Sequence, residues 1–102
     1  MVAADIFDEA SLRSGLEGCD IALNLATSLP GPATPGGDYA VNDRVRREGT
    51  PILARACREA GVPRILQQSI PMTHTGTGEA WADETTPLVP VDETTVGGAA
   101  IA

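Results

Sequence analysis

Lysine is absent from all 102 residues, and histidine, tyrosine, tryptophan and phenylalanine occur once each. Each shortage removes a class of function. A mechanism that needs a lysine cannot run on this chain alone. A single histidine excludes a multi-histidine metal site, so no metal centre is expected, and three aromatic residues cannot build a platform for stacking bases. Positive charge is also scarce: seven arginines face fourteen acids, for a net charge of −7. That balance argues against a nucleic-acid partner or an anionic membrane surface, since both need a basic face.

The two cysteines, Cys19 and Cys57, are too few for a disulfide framework and form no C-x-x-C pair. They read as small apolar residues in a reducing compartment. No apolar run approaches the length of a membrane span. The first residues have neither a basic stretch nor an apolar stretch of the secretory kind, so the cytoplasm is the expected location. The length suits one small domain with a modest core.

What is present is punctuated sharply. Asp8 and Glu9 mark a helix start, Leu12 and Leu16 share one face, and Gly18 marks the helix end. Ile21 to Thr27 is apolar on both faces, which predicts a strand covered on both sides, as in a parallel sheet. Three prolines and three glycines between Ser28 and Gly37 predict a loop. It leaves the C-terminal end of that strand, where open α/β sheets bind ligands.

Residues 38–60 show helical spacing, closed by Gly61. Pro51 interrupts them, because an interior proline costs ~3 kcal/mol. A kink or break at 47–50 is therefore expected, with Thr50 capping a second helix and Pro51 at its first position. Arg64 to Ile70 reads as a second strand, residues 71–95 mostly as loop, and Ala99 to Ala102 as the opening turn of a further helix. Alternating helices and buried-type strands predict an α/β class. Two strands alone leave two open edges, so the chain is expected to be the middle of a larger domain.

Four segments together resemble the NAD-dependent epimerase/dehydratase family of extended short-chain dehydrogenases/reductases. Ala4 to Asp8, with Leu12, Leu16 and Gly18-Cys19-Asp20, is similar to the family's G-D-h-x-D…L…L…G-h-D stretch. Ile21 to Thr27 resembles its V-h-H-L-A-A strand. Asn42, Gly49-Thr50 and Ala54 to Val62 resemble its N…G-T…A-G-V helix. Arg64 to Ile70, Trp81 to Glu84 and Pro87 to Pro90 resemble the run that follows.

This resemblance implies a partial Rossmann-like, doubly wound parallel sheet spanning 1–102, NAD or NADP as cofactor, a small-molecule substrate and a homodimer. Keto-sugar chemistry is typical of the family. Asp5 and Ile6 would lie beside the adenine, with a turn residue as the alternative reading of Asp5. Leu25, Ala26 and Thr27 would pass the cofactor, with core packing as the alternative for Leu25. Asn42 would support the active-site geometry; a helix cap or an exposed polar position is its alternative. Ser69 would hydrogen-bond the substrate oxygen.

The family's usual second serine is Ile70 here, which leaves open whether Ser69 stands one residue early in the motif. His74, near the aromatic position, reads as a loop histidine in water. The family's Gly-rich phosphate loop has no counterpart in these residues, and neither does its Tyr-x-x-x-Lys pair, since Tyr39 is followed four residues on by Asp43. The expected function is therefore that of a fragment of a hydride-transferring epimerase, dehydratase or reductase, inactive alone. The rival expectation is a small acidic, non-catalytic interaction protein derived from the same fold.

Overall fold

A computed structural model describes residues 1–29, 39–69, 74–76 and 78–88. Residues 30–37 of the expected loop at 28–37, and the expected helix start at 99–102, lie outside these residues. The chain divides into two compact units, Met1–Gln68 and Ser69–Ala102.

The first unit is mixed α/β. Helix α1 spans Glu9–Leu16, and the Asp8 carboxylate caps it by accepting from the amides of Ala10 and Ser11. Gly18, with φ +78°, turns the chain away past its end. Strand β1 covers Ala22–Asn24 and β2 covers Ile65–Gln67. They pair in parallel, Ala22 opposite Ile65 and Asn24 opposite Gln67. Both strands are shorter than the apolar runs that announce them.

The connection between them is helical. Helix α2 (Ala40–Arg44) runs into a π-helical turn (Val45–Gly49) and on into α3 (Thr50–Ala60). At the kink or break expected at 47–50, the helix does not break but widens into the π-turn, and Thr50 has helical dihedrals instead of capping a new helix. The π-turn ends at Gly49, two residues before Pro51, where an α-helix would press the proline ring against a carbonyl one turn back. Widening that turn relieves the clash without interrupting the helix. Gly61, at φ +75°, closes α3 as its spacing predicts.

The core of this unit is small. Ala22, Leu53, Cys57 and Val62 are buried together, and Ile6, Leu12, Leu16 and Ala60 pack against them. Helix α1 lies on α3. Ion pairs Arg55–Glu9 at 2.9 Å and Arg13–Glu59 at 3.5 Å join the two helices, each contributing less than about 1 kcal/mol at such exposure. The Arg44 guanidinium sits 4.3 Å from the centre of the Phe7 ring and ties the segment before α1 to α2.

One expectation for the sheet fails. Ala22 and Asn24 turn toward the helices and are buried, whereas Ile21, Leu23, Leu25 and Leu66 are exposed. Within the described residues β1 is covered on one face, not on both, and β2 is exposed along its whole length. An apolar run records what a strand is made of, but not whether a second layer reaches it.

In the second unit, His74 and Leu88 form an antiparallel bridge, reinforced by the Thr75 amide donating to the Pro87 carbonyl at 2.9 Å. The turn at Asp83 is closed by its carboxylate, which accepts from the hydroxyl (2.6 Å) and the amide (2.9 Å) of Thr85. Those bonds hold the Asp83 carboxyl below its ordinary range.

Candidate functional site

The polar residues of the first unit gather at the C-terminal ends of the two strands. Asn24 ends β1 and is buried inside an otherwise apolar run. Its Nδ2 donates to Gln67 Oε1 at 2.7 Å and to Thr50 Oγ1 at 3.3 Å, and its Oδ1 accepts from the Ala26 amide at 3.2 Å. One amide thus joins β1, β2, α3 and the chain leaving β1. Its polar atoms are satisfied, which is what makes its burial tolerable.

Asn42, on α2, is 1% exposed. Its Oδ1 accepts from Thr27 Oγ1 at 2.9 Å and from the Ser28 amide at 3.2 Å. A helix side chain therefore fixes the first residues beyond β1. One turn further along, Arg46 donates from a terminal guanidinium nitrogen to the Gln68 carbonyl at 3.5 Å. The same helix reaches the C-terminal ends of both strands. Asp43 Oδ1 and Arg46 Nε are buried there without a hydrogen-bond partner.

The sequence-derived residues divide on this geometry. Asn42 and Thr27 are in direct contact, and Ala26, the residue before Thr27, is bonded separately to Asn24. Asn42 is neither a helix cap nor an exposed polar residue. Leu25 is exposed, which removes core packing as its role. The Asp5 carboxylate accepts from the Phe7 amide at 2.8 Å, an Asx turn, and its main chain is bound to Ser11 and Asp8. This is the turn role that the residue type alone allows, and the carboxylate remains exposed. Ile6 is half-buried against α3 and the π-turn, and its side chain also lines an open cavity shared with Leu25 and Ala26.

Ser69 is exposed, follows Gln68 directly, and opens the second unit. His74 corrects its reading as a histidine in water. It is half-buried, and its Nδ1 lies 3.1 Å from the Thr86 carbonyl, where it must carry a proton and donate. That contact makes it a structural residue of the bridge.

Asn24, Thr50 and Gln67 are members of the cluster that the sequence reading missed. The available signal was an asparagine inside an apolar strand run, an arrangement that demands partners. Both cysteines are free thiols. Cys19 is exposed, and burial, with a smaller contribution from Cys19, pushes the Cys57 thiol up from its usual value.

Chemically, the cluster offers amides and hydroxyls, with the Asp43 carboxylate and the Arg46 guanidinium beside them. The amides and hydroxyls can orient a polar ligand and hold a loop. Among the described residues, no group of three or more His, Cys, Asp or Glu is arranged to hold a metal ion, and no helix is long and apolar enough to cross a membrane. No family model matches the chain, and no curated protein matches it.

Proposed function

We propose that this chain is part of an NAD(P)-dependent epimerase, dehydratase or reductase with a Rossmann-type sheet. Such an enzyme moves hydride between a nicotinamide and a substrate carbon bearing a hydroxyl or keto oxygen. One observation carries the reading. The asparagine that the resemblance places in the active-site helix is buried and bonded to the two residues that leave the strand thought to pass the cofactor. Two segments that matched separately in sequence thus meet in space, at the strand ends where open α/β sheets hold their ligands.

The residues fit such a cofactor in part. Ala26 and Thr27 are small, and Asn42 fixes the backbone beside them, so a dinucleotide could approach the main chain closely. Asp5 keeps an exposed carboxylate that could accept from an adenine amino group. Ile6 packs on Gly49 and lines one cavity with Leu25 and Ala26, so an apolar ring could rest against it. When bound, the nicotinamide would supply the hydride. This chain's own part is to shape the strand ends, with Ser69 offering a hydroxyl to the substrate oxygen. The chain contains no lysine to lower a tyrosine pKa, so turnover requires residues beyond those given, and the 102-residue polypeptide alone is expected to be inactive.

The test is a chimaera in which a Gly-rich strand–helix unit precedes this chain. NADH fluorescence should then report saturable binding, weakened at least fivefold by Asn42→Ala. A folded chimaera that binds no NADH or NADPH would remove the reading.

A further inference from the structure

The two strand ends are joined by three hydrogen bonds that all run in one direction. Asn24 and Gln67 are register partners in the parallel pair. The Ala26 amide donates to Asn24 Oδ1 at 3.2 Å, Asn24 Nδ2 donates to Gln67 Oε1 at 2.7 Å, and Gln67 Nε2 donates to the Gln68 carbonyl at 2.9 Å. This relay begins on the chain leaving β1 and ends on the chain leaving β2. Its two ends are main-chain groups of opposite kind, a donor at Ala26 and an acceptor at Gln68. Neither can change its role, so both side-chain amides are held in one orientation. Turning over the Asn24 amide would set nitrogen against the Ala26 N–H and oxygen against Gln67 Oε1. Turning over the Gln67 amide would set nitrogen against Asn24 Nδ2 and oxygen against the Gln68 carbonyl.

The two amides sit in different surroundings. Asn24 is buried, and its Nδ2 also reaches Thr50 Oγ1, at the longer distance of 3.3 Å. Gln67 is exposed, yet both ends of its carboxamide are engaged within the protein. The shorter of the two bonds that hold the Asn24 nitrogen therefore comes from a surface residue of β2.

We propose that Gln67 is a positioning residue for the chain that leaves β1, acting through Asn24. Its carboxamide oxygen sets the rotation of the Asn24 amide, and that amide sets the direction of the Ala26 N–H. Asn42 holds the next two residues, Thr27 and Ser28, independently. Two asparagines thus fix three successive residues, and the first of the two is set from β2. Bonds in such a chain polarise one another, so a group that draws on the Gln68 carbonyl, as Arg46 does at 3.5 Å, bears on Ala26. The relay itself rests on these hydrogen bonds alone. Its consequence for a ligand rests on the proposed NAD(P) role: the strand end beside Ser69 and the strand end beside the cofactor are set together.

The test is amide hydrogen exchange, followed by NMR on the full 102-residue chain and expressed as protection factors. Gln67→Ala should lower protection of the Ala26 amide at least fivefold. The Ser28 amide, held by Asn42, and the Ala22 amide, bonded to the Arg64 carbonyl, should stay within twofold. Gln67→Glu keeps an oxygen for Asn24 Nδ2, as a charged and stronger acceptor, and should hold Ala26 within twofold of the native value. A residue that merely stabilised the sheet would lower all three amides together and would not be rescued by glutamate. Gln67→Met keeps the length of the side chain without the carboxamide oxygen; it should reproduce the loss at Ala26 and decides the matter if Gln67→Ala does not fold. Unchanged Ala26 protection in the alanine or methionine variant overturns the proposal. So does a parallel loss at Ser28 and Ala22, or an equal loss in Gln67→Glu. None of these readouts uses NADH, so this proposal and the cofactor proposal fail separately.

Discussion

Gly49→Val is expected to destabilise the Met1–Gln68 unit by about 3 kcal/mol, the upper end of what overpacking a filled site costs. A Cβ at Gly49 would stand 2.6 Å from Ile6 Cγ1 and 3.6 Å from its Cγ2. Ile6 cannot swing aside as a flexible side-chain tip could, because both atoms are bonded directly to its Cβ and branching there restricts rotation. Backbone strain is not involved: Gly49 has φ −65° and ψ −41°, ordinary helical values. The same clash should outweigh the gain of up to about 1 kcal/mol that alanine brings to a helix, so Gly49→Ala should also destabilise. In an Ile6→Ala background the sign should reverse, with Gly49→Ala raising stability. Urea midpoints of the helical signal for the four proteins measure this cycle. A neutral or stabilising Gly49→Ala in the otherwise native chain would show that Ile6 does not press on the helix.

Asn42→Ala is expected to cost about 1–2 kcal/mol, because it leaves the Ser28 amide and the Thr27 hydroxyl without their buried acceptor. Thr27→Val should cost about 1 kcal/mol, the net value of one hydrogen bond. The double variant should fall short of the sum, because the two changes remove one shared interaction. Hydrogen exchange supplies a readout that general destabilisation does not give. The Ser28 amide should lose protection in Asn42→Ala and keep most of it in Thr27→Val, which leaves the Ser28–Asn42 bond in place. Unchanged Ser28 exchange in Asn42→Ala would show that the helix does not hold the strand end.

Local chemistry made several elements readable in advance. Asp8 caps α1 and Gly61 closes α3, because a short carboxylate and a residue without a Cβ answer needs set by the neighbouring backbone. The parallel pairing was also within reach, from two strand-like segments, Ile21 to Thr27 and Arg64 to Ile70, separated by a helical stretch. The π-turn was not. Pro51 signals trouble in an α-helix, but a break and a widened turn both relieve it, and spacing does not choose between them. The polar cluster was half visible. Asn42 drew attention through resemblance and its poor helix propensity. Asn24 depends on Thr50 and Gln67, 26 and 43 residues away, and no local pattern records those partners. Exposure of Leu23 and Leu66 was likewise hidden, since it depends on which layers surround the sheet.

The uncovered sheet face has a colloidal consequence. Leu23 and Leu66 lie opposite each other across the two strands and remain exposed, while the chain carries a net charge of −7 at neutral pH. Mutual repulsion between copies then opposes the sticking of these leucines. Near the isoelectric point, about 4.4, the repulsion disappears and the apolar area does not, so the solubility minimum falls there. Added salt works in the same direction at neutral pH by shortening the reach of the repulsion to about 3 Å at molar strength. In this chain the excess of carboxylates does, from a distance, what a covering layer of helix would do by contact.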